Sequence, residues 1–268
     1  MNQTINKYSK QIIIVNSIFI LFWLTISIFP FIWTLWGSFK VKADFFSRAD
    51  WTYALSGFNT LIETGATTTF KAYLESWTEG EFGRATMNTM IVTVSVVSIS
   101  LFLGTLGAYA LSRSTFKYTF YILIIALIFR AMPHITLVSG YLFPFFQLNI
   151  WGILPTTIIV LVAINQPFTL WLLYSFFKTV PKELDESALI DGCSYFQAFR
   201  YIIMPVMWPG VVTAGLFSMM LAYNDFTVTA LLLNQHNYTM VPKINAYLGT
   251  VEYGGNYMWA VSSVVSAT

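Results

Sequence analysis

Four polar side chains lie within long apolar runs of the chain, where they could contact a solute. Arg130 is followed by His134 one helical turn later, and Asn224 and Asp225 are adjacent in a later run. Asn and Asp suit the hydroxyl groups of a sugar or polyol because their side-chain oxygens accept hydrogen bonds. We expect these four residues to border a translocation path through a membrane.

Two structural interpretations of the charged members stay open beside the functional one. At about 1.5 Å per residue, Arg130 and Asp225 both lie roughly 20 Å from the inner ends of their helices. Charges at that depth are expected to face away from lipid. They could pair directly and join two helices, or Arg130 could extend outward to the membrane surface.

Other kinds of chemistry find little support in the residue pattern. His134 lacks a second metal ligand at a suitable spacing, and the lone Cys193 excludes an internal disulfide. We therefore expect no catalytic residues, no metal and no cofactor in this chain. A Gly-x-x-x-x-Gly-Lys phosphate loop is absent, so any ATP must be bound by another chain. An intramembrane enzyme or a proton-coupled carrier using Asp225 are the alternatives from other functional classes.

The elements that position these residues are predicted to be membrane-spanning helices. Hydrophobic residues make up 56% of the 268 residues and charged residues 10%, with a mean hydropathy of +0.65. This composition indicates a membrane protein, and the net charge of +2 gives no reason to expect nucleic acid binding. The predicted spans are residues 12–36, 87–111, 120–142, 153–177 and 209–233.

The chain divides into an N-terminal tail with the first span (1–36), a periplasmic loop (37–85) and a helical core (86–268). Pro167 is expected to kink the fourth span. A polar connection, 234–256, leads to an apolar segment from Tyr257 that is too short to cross a membrane. We interpret this segment as the start of a sixth helix in a truncated sequence.

A long polar passage, Lys182 to Pro205, lies between the last two spans. Its acidic residues at 183, 185 and 186 favour the start of a helix. Gly192 suits the turn that follows, and Ser194 with Gln197 has the spacing of a capping box that begins a second helix. On composition alone, the passage could equally be a solvated amphipathic hairpin.

Three motifs resemble signatures of ABC importer permeases. The order Glu186, Ser187, Ala188, Gly192, Ile202, Met204, Pro205 resembles the "EAA" loop, with Ser in place of the second Ala and Met in place of a Leu. The run from Ala108 to Arg113 resembles the "AYALSR" sequence of carbohydrate permeases. A weaker match is the run from Glu79 to Arg84 followed by Asn88.

The resemblance implies an all-α polytopic protein with the ABC type I importer permease fold, similar to the second permease subunit of maltose-type systems. Five complete transmembrane helices and the start of a sixth are expected. The loop within 178–208 is then a coupling helix that docks on an ATPase. The implied coupling residues are Glu183, Asp185, Glu186, Ser187, Ala188, Asp191, Gly192 and Phe196, with Glu186 making a charged contact and Ala188 and Gly192 allowing close approach.

The same resemblance implies the partners of the chain. These are a second permease subunit in a heterodimer, two ATP-binding subunits carrying ATP and Mg, and a periplasmic or lipid-anchored solute-binding protein. The expected solute is a carbohydrate, although glycerol phosphate permeases share these motifs. Basic residues near helix ends place the loop and the N-terminus in the cytoplasm of a bacterial inner membrane: Lys7, Lys10, Arg113, Lys117, Lys178, Lys182 and Arg200.

Overall fold

The computed structural model describes residues 2–38, 71–249 and 257–268, with side chains from residue 12 of the first range and residue 259 of the last. Most of the predicted periplasmic loop, residues 39–70, lies outside the described residues, as does 250–256. The chain forms two compact units, residues 1–82 with 244–268 and residues 83–243.

The described residues fold into α-helices. In chain order they are α1 (Asn2–Ser38), α2 (Lys71–Thr78), α3 (Phe82–Arg113), α4 (Thr119–Ala131), α5 (His134–Gln147), α6 (Leu154–Thr179), α7 (Glu183–Ile190), α8 (Tyr195–Ala198), α9 (Met204–Tyr223), α10 (Thr227–Leu232), α11 (Met240–Gly249) and α12 (Tyr257–Ala267). A π-helical turn, Phe199–Ile203, joins α8 to α9.

Four of these segments are long and apolar enough to cross a membrane: Ile12–Ser38, Phe82–Arg113, Leu154–Thr179 and Tyr195–Tyr223. They correspond to the predicted first, second, fourth and fifth spans. Pro167 lies inside α6, which remains one helix. The pair α4 and α5 makes a fifth span only if its two bent halves are counted together.

The predicted third span is wrong as a continuous helix. Residues 120–142 divide at Met132 and Pro133 into α4 and α5, which are bent by 85°. Met132 adopts an extended conformation, with ψ of 144°. Proline disfavours the helical conformation in the residue before it, so Pro133 accounts for the break.

The fifth span also ends earlier than predicted. Helix α9 stops at Tyr223 rather than continuing to Leu233, and α10 begins at Thr227. The Asp225 carboxylate Oδ1 accepts hydrogen bonds from the backbone amides of Val228 and Thr229, each at 3.0 Å. This side chain starts a new helix, because it satisfies amides that a helix N-terminus leaves unpaired.

The C-terminal part of the unit formed by 1–82 and 244–268 is more helical than predicted. Helix α11 begins within the predicted polar connection, and α12 occupies the apolar segment that begins at Tyr257. Tyr247 is fully buried, and its hydroxyl donates to the Gly80 carbonyl at 2.6 Å. Helix α12 packs against α1 and α2.

The unit of residues 83–243 is built around α6. This helix packs against α4 and α9. Gly210 permits the close approach of α9, since a Cβ added there would lie 2.8 Å from the Phe176 ring. Small residues at such crossings allow tight van der Waals packing, which drives helix association in lipid.

Candidate functional site

The loop that follows α6 has the two-helix form predicted from its sequence. Helix α7 ends at Ile190, and Gly192 has a positive φ of 89° at the turn. Ser194 and Gln197 form the expected capping box: the Gln197 amide donates to Ser194 Oγ at 3.3 Å, and the Ser194 amide donates to Gln197 Oε1 at 2.8 Å. The second helix is therefore fixed at its first residue.

Asp185 of α7 is held by two side chains from the end of α3. Arg113 Nε donates to Asp185 Oδ2 at 2.8 Å, and the Tyr109 hydroxyl donates to Oδ1 at 2.5 Å. The Arg113 and Asp185 side chains are only 16% and 12% exposed. Both carboxylate oxygens are satisfied in a shielded position, where a charge requires a partner.

Arg113 also binds the end of α6. Its Nη1 donates to the carbonyl oxygens of Phe177 at 3.3 Å and Val180 at 3.2 Å. A helix C-terminus leaves carbonyls unpaired and carries partial negative charge, so a guanidinium is favourable there. Arg113 thus joins α3, α6 and α7 at one point, which we call the Arg113 junction (Tyr109, Arg113, Phe177, Val180 and Asp185).

Aromatic packing supports the Arg113 junction. The Tyr109 ring lies 5.7 Å from the Phe177 ring and 4.9 Å from the Phe199 ring, measured between centroids. Phe199 begins the π-helical turn that leads into α9. The second half of the loop is therefore anchored to the same Tyr109 that contacts Asp185.

The eight predicted coupling residues divide between two faces of the loop. Asp185 and Ala188 are covered by other residues of the permease itself, with whole-residue exposures of 8% and 1%. The others are exposed: Glu183, Glu186, Ser187, Asp191, Gly192 and Phe196. Beside them lie two exposed apolar side chains that the sequence analysis did not select, Ile190 at 86% and Tyr195 at 73%.

The four predicted path residues line one cavity of about 530 Å³ in the unit of residues 83–243. Arg130 lies in the last turn of α4 and His134 begins α5, while Asn224 and Asp225 lie in the break between α9 and α10. The helix breaks thus bring together residues that are far apart in sequence. Where a membrane helix is interrupted at a cavity, its polar groups can face the cavity. In a continuous span the same groups would be buried or would face lipid.

Arg130 and Asp225 do not form the direct ion pair that was one of the open interpretations. Arg130 Nη1 contacts His134 Nε2. The ion pairs among the described residues are Lys71 with Glu75 and Arg113 with Asp185. Asp225 acts on the backbone of α10, and Asn224 Nδ2 donates to the Met220 carbonyl at 2.9 Å. Asn224 and Asp225 are therefore partly structural.

Asn165 of α6 is a cavity residue that sequence reasoning missed. It is 5% exposed and lines the cavity, and neither its Oδ1 nor its Nδ2 has a hydrogen-bond partner in the described part of the chain. Its signal in the sequence was the polar pair Asn165 and Gln166 inside an apolar run. Polar residues inside a membrane span commonly mark a functional site.

Comparison with known proteins gives one family. The model of the binding-protein-dependent transport system inner membrane component matches residues 100–268. The chain is 29% identical over 257 residues to the diacetylchitobiose uptake system permease protein of Streptomyces coelicolor, covering 92% of this chain and 79% of that protein. It is 33% identical over 220 residues to the trehalose/maltose transport system permease protein of Thermococcus litoralis, covering 81% and 74%.

A solved structure shares the fold. A bacterial ABC transporter involved in the import of the acidic polysaccharide alginate contains a chain that matches with a TM-score of 0.71 and 18% identity. The match covers 95% of this chain and 89% of that one. At this identity the similarity extends to the fold alone, which is that of an ABC importer permease.

Proposed function

The chain belongs to the family of inner membrane components of binding-protein-dependent transport systems, and we propose that it forms one half of the pore of an ATP-driven importer for a sugar or related polyol. It is a multi-pass membrane permease rather than an enzyme, and ATP hydrolysis belongs to partner subunits. The sugar class is supported by its relatives, which are named for diacetylchitobiose and for trehalose and maltose.

The observation that carries this proposal is the cavity at the two helix breaks. Arg130, His134, Asn224 and Asp225 lie on different helices yet share one space of about 530 Å³. This volume is within the range of small-molecule sites, about 300–1,000 Å³. A sugar passing this point would exchange hydrogen bonds with water for hydrogen bonds with these side chains.

The exposed face of the loop is the proposed docking site for an ATPase subunit. Ile190, Tyr195 and Phe196 are 86%, 73% and 64% exposed, although apolar side chains of this size are normally covered. Glu186 is exposed beside them and is available to a basic residue of the partner. ATP and Mg would be bound entirely by that partner.

The Arg113 junction offers a route from the loop to the cavity. Arg113 is the last residue of α3, and α3 also contributes Val96 to the cavity wall. The carbonyl that Arg113 binds in Phe177 lies at the end of α6, and α6 contributes Leu161 to the same wall. A displacement of α7 by the ATPase would therefore pull on two helices that line the path. Alternating access then follows as the helices move around the solute.

The remaining partners and the orientation complete the proposal. A second, different permease subunit would form the other half of the pore, with two ATPase subunits inside and a periplasmic or lipid-anchored binding protein outside. Basic residues lie in the sequence at the helix ends on the side of the loop and at the N-terminus, so the excess of positive charge favours a cytoplasmic position for both: Lys7, Lys10, Arg113, Lys117, Lys178 and Arg200.

Reconstitution tests this function directly. The complex of the chain with its partner permease, ATPase and binding protein would be placed in proteoliposomes. We expect ATP to drive accumulation of a radiolabelled sugar, and a non-hydrolysable ATP analogue to give none. Accumulation driven by a proton gradient without ATP would contradict the proposal and favour a secondary carrier.

A further inference from the structure

We infer that Asn165 contacts the transported solute and that its side-chain amide selects a neutral polyhydroxylated molecule over a phosphorylated one. This inference rests on the proposed function, because it names the substrate class of the same cavity. The family model and the relatives give a permease and the solutes in the relatives' names, and they assign no role to Asn165.

The unpaired state of Asn165 is the first step of the argument. The whole residue is 5% exposed, its Oδ1 and Nδ2 are both buried, and neither atom has a partner among the residues the structure describes. Leaving a buried polar group unpaired costs free energy, so native proteins seldom keep one without a ligand or water. Asn165 lines the cavity, and the cavity is therefore the route that we assign to a partner for this amide.

The chemistry of the amide defines that partner. A carboxamide presents a donor and an acceptor side by side and carries no charge. Two neighbouring hydroxyl groups offer the complementary acceptor and donor, so both hydrogen bonds can form together. Val96, Leu161 and Ile164 line the same cavity and suit the apolar C–H surface of a sugar ring.

The charges of the cavity wall favour a neutral solute. Arg130 and Asp225 supply one positive and one negative group, so their charges cancel. The guanidinium already contacts His134, and the carboxylate already accepts two amides of α10. A phosphate in this cavity would be attracted by Arg130, whose guanidinium already contacts His134, and repelled by the Asp225 carboxylate. Phosphorylated solutes, such as those of glycerol phosphate permeases with similar motifs, are therefore disfavoured in this cavity.

Uptake by the reconstituted complex provides the first test. Radiolabelled maltose, trehalose and diacetylchitobiose are the probes, and the parental complex must take up at least one for the variants to be compared. We expect Asn165→Leu to lower the uptake rate about tenfold, as for one lost hydrogen bond to the solute. Thr157→Val is the matched control, since Thr157 is fully buried on α6, has an unpaired Oγ1 and is not a lining residue.

Thr157→Val should remain within about twofold of the parental rate, because it removes a buried hydroxyl away from the cavity. Uptake by Asn165→Leu at the parental rate would overturn the inference and assign the amide to water alone. If the parental complex takes up none of the sugars, the proposed function fails instead, and the labelling experiment below still decides the role of Asn165.

Cysteine labelling provides a second test that requires neither transport nor the Asn165→Leu variant, whose larger side chain could disturb packing. In a Cys193→Ser background with cysteine-free partners, Asn165→Cys should react with a methanethiosulfonate reagent and Thr157→Cys should not. We expect the neutral sugars to slow labelling at position 165 about tenfold and glycerol 3-phosphate to leave it unchanged. No labelling at 165, no protection by any sugar, or equal protection by glycerol 3-phosphate would each overturn the inference.

Discussion

Arg113 donates from Nε to the Asp185 carboxylate at 2.8 Å and from Nη1 to the Phe177 and Val180 carbonyls at 3.3 and 3.2 Å. One guanidinium therefore fixes the first helix of the loop to the ends of α3 and α6. This arrangement gives the loop a defined position before any partner binds. Substitutions at Arg113 and Asp185 can therefore be compared for their effects on stability and on transport.

Removing Arg113 should destabilise the protein more than removing an exposed basic residue. Arg113→Ala leaves Asp185 charged and shielded, with an expected cost of about 3 kcal/mol. Lys71→Ala is the control, because its ion pair with Glu75 is open to solvent and should contribute less than about 0.5 kcal/mol. Unfolding of the purified chain in detergent measures both. Equal costs would contradict the structural role of Arg113.

Tyr109→Phe should weaken coupling while keeping the fold. The ring contacts with Phe177 and Phe199 remain, but the hydroxyl that donates to Asp185 is lost, at a cost of about 1–2 kcal/mol. We expect more ATP hydrolysed per solute transported. In a double-mutant cycle, Tyr109→Phe and Asp185→Ala should be non-additive, since each removes the hydrogen bond between the Tyr109 hydroxyl and Asp185. Strict additivity would show that the contact carries no energy.

Changes on the exposed face of the loop should act on the ATPase contact alone. Phe196→Ala removes a side chain that is 64% exposed, so the stability of the free permease should hardly change. Copurification of the ATPase should fall about tenfold, as for an interface anchor. Gln197→Ala, next to it, removes the capping box and is expected instead to lower stability by about 1 kcal/mol.

Glu186→Lys should abolish uptake while membrane insertion and detergent stability stay normal. Glu186 is exposed, and the structure gives it no ion-pair partner within the described residues, so reversing its charge affects a partner only. Glu79→Lys, at an exposed acidic residue outside the loop, is the charge-matched control and should leave uptake unchanged. Normal uptake by Glu186→Lys would remove Glu186 from the coupling contact.

Asp225 should tolerate Asn better than Ala in stability. Ala removes the oxygen that accepts the Val228 and Thr229 amides, whereas Asn keeps an acceptor, so Ala should cost about 1–2 kcal/mol more. Arg130→Ala and Asp225→Asn should be additive within about 0.5 kcal/mol, because their side chains form no ion pair. Strong coupling in unfolding measurements would restore the direct pair.

The spanning helices were predictable because a long apolar run has few other solutions in a membrane. The loop was also predictable: Gly192, Ser194 and Gln197 encode a turn and a cap through local chemistry, which the structure reproduces. The breaks at Pro133 and Asp225 were missed because the apolar runs on either side of each break are together long enough to be taken as one span. Local backbone restriction at Met132 and a side-chain cap at Asp225 decide where these helices stop.

By itself the sequence determined that the chain is an α-helical membrane protein with a capped two-helix loop, and it predicted that four polar residues border a common path; the structure places all four at one cavity. Only the tertiary structure decided that Asp185 faces inward to Arg113 and that Asn165 is unpaired at the cavity. The reason is physical: composition and spacing report local conformation and burial. Contacts between residues 72 positions apart, such as Arg113 and Asp185, depend on how the helices pack.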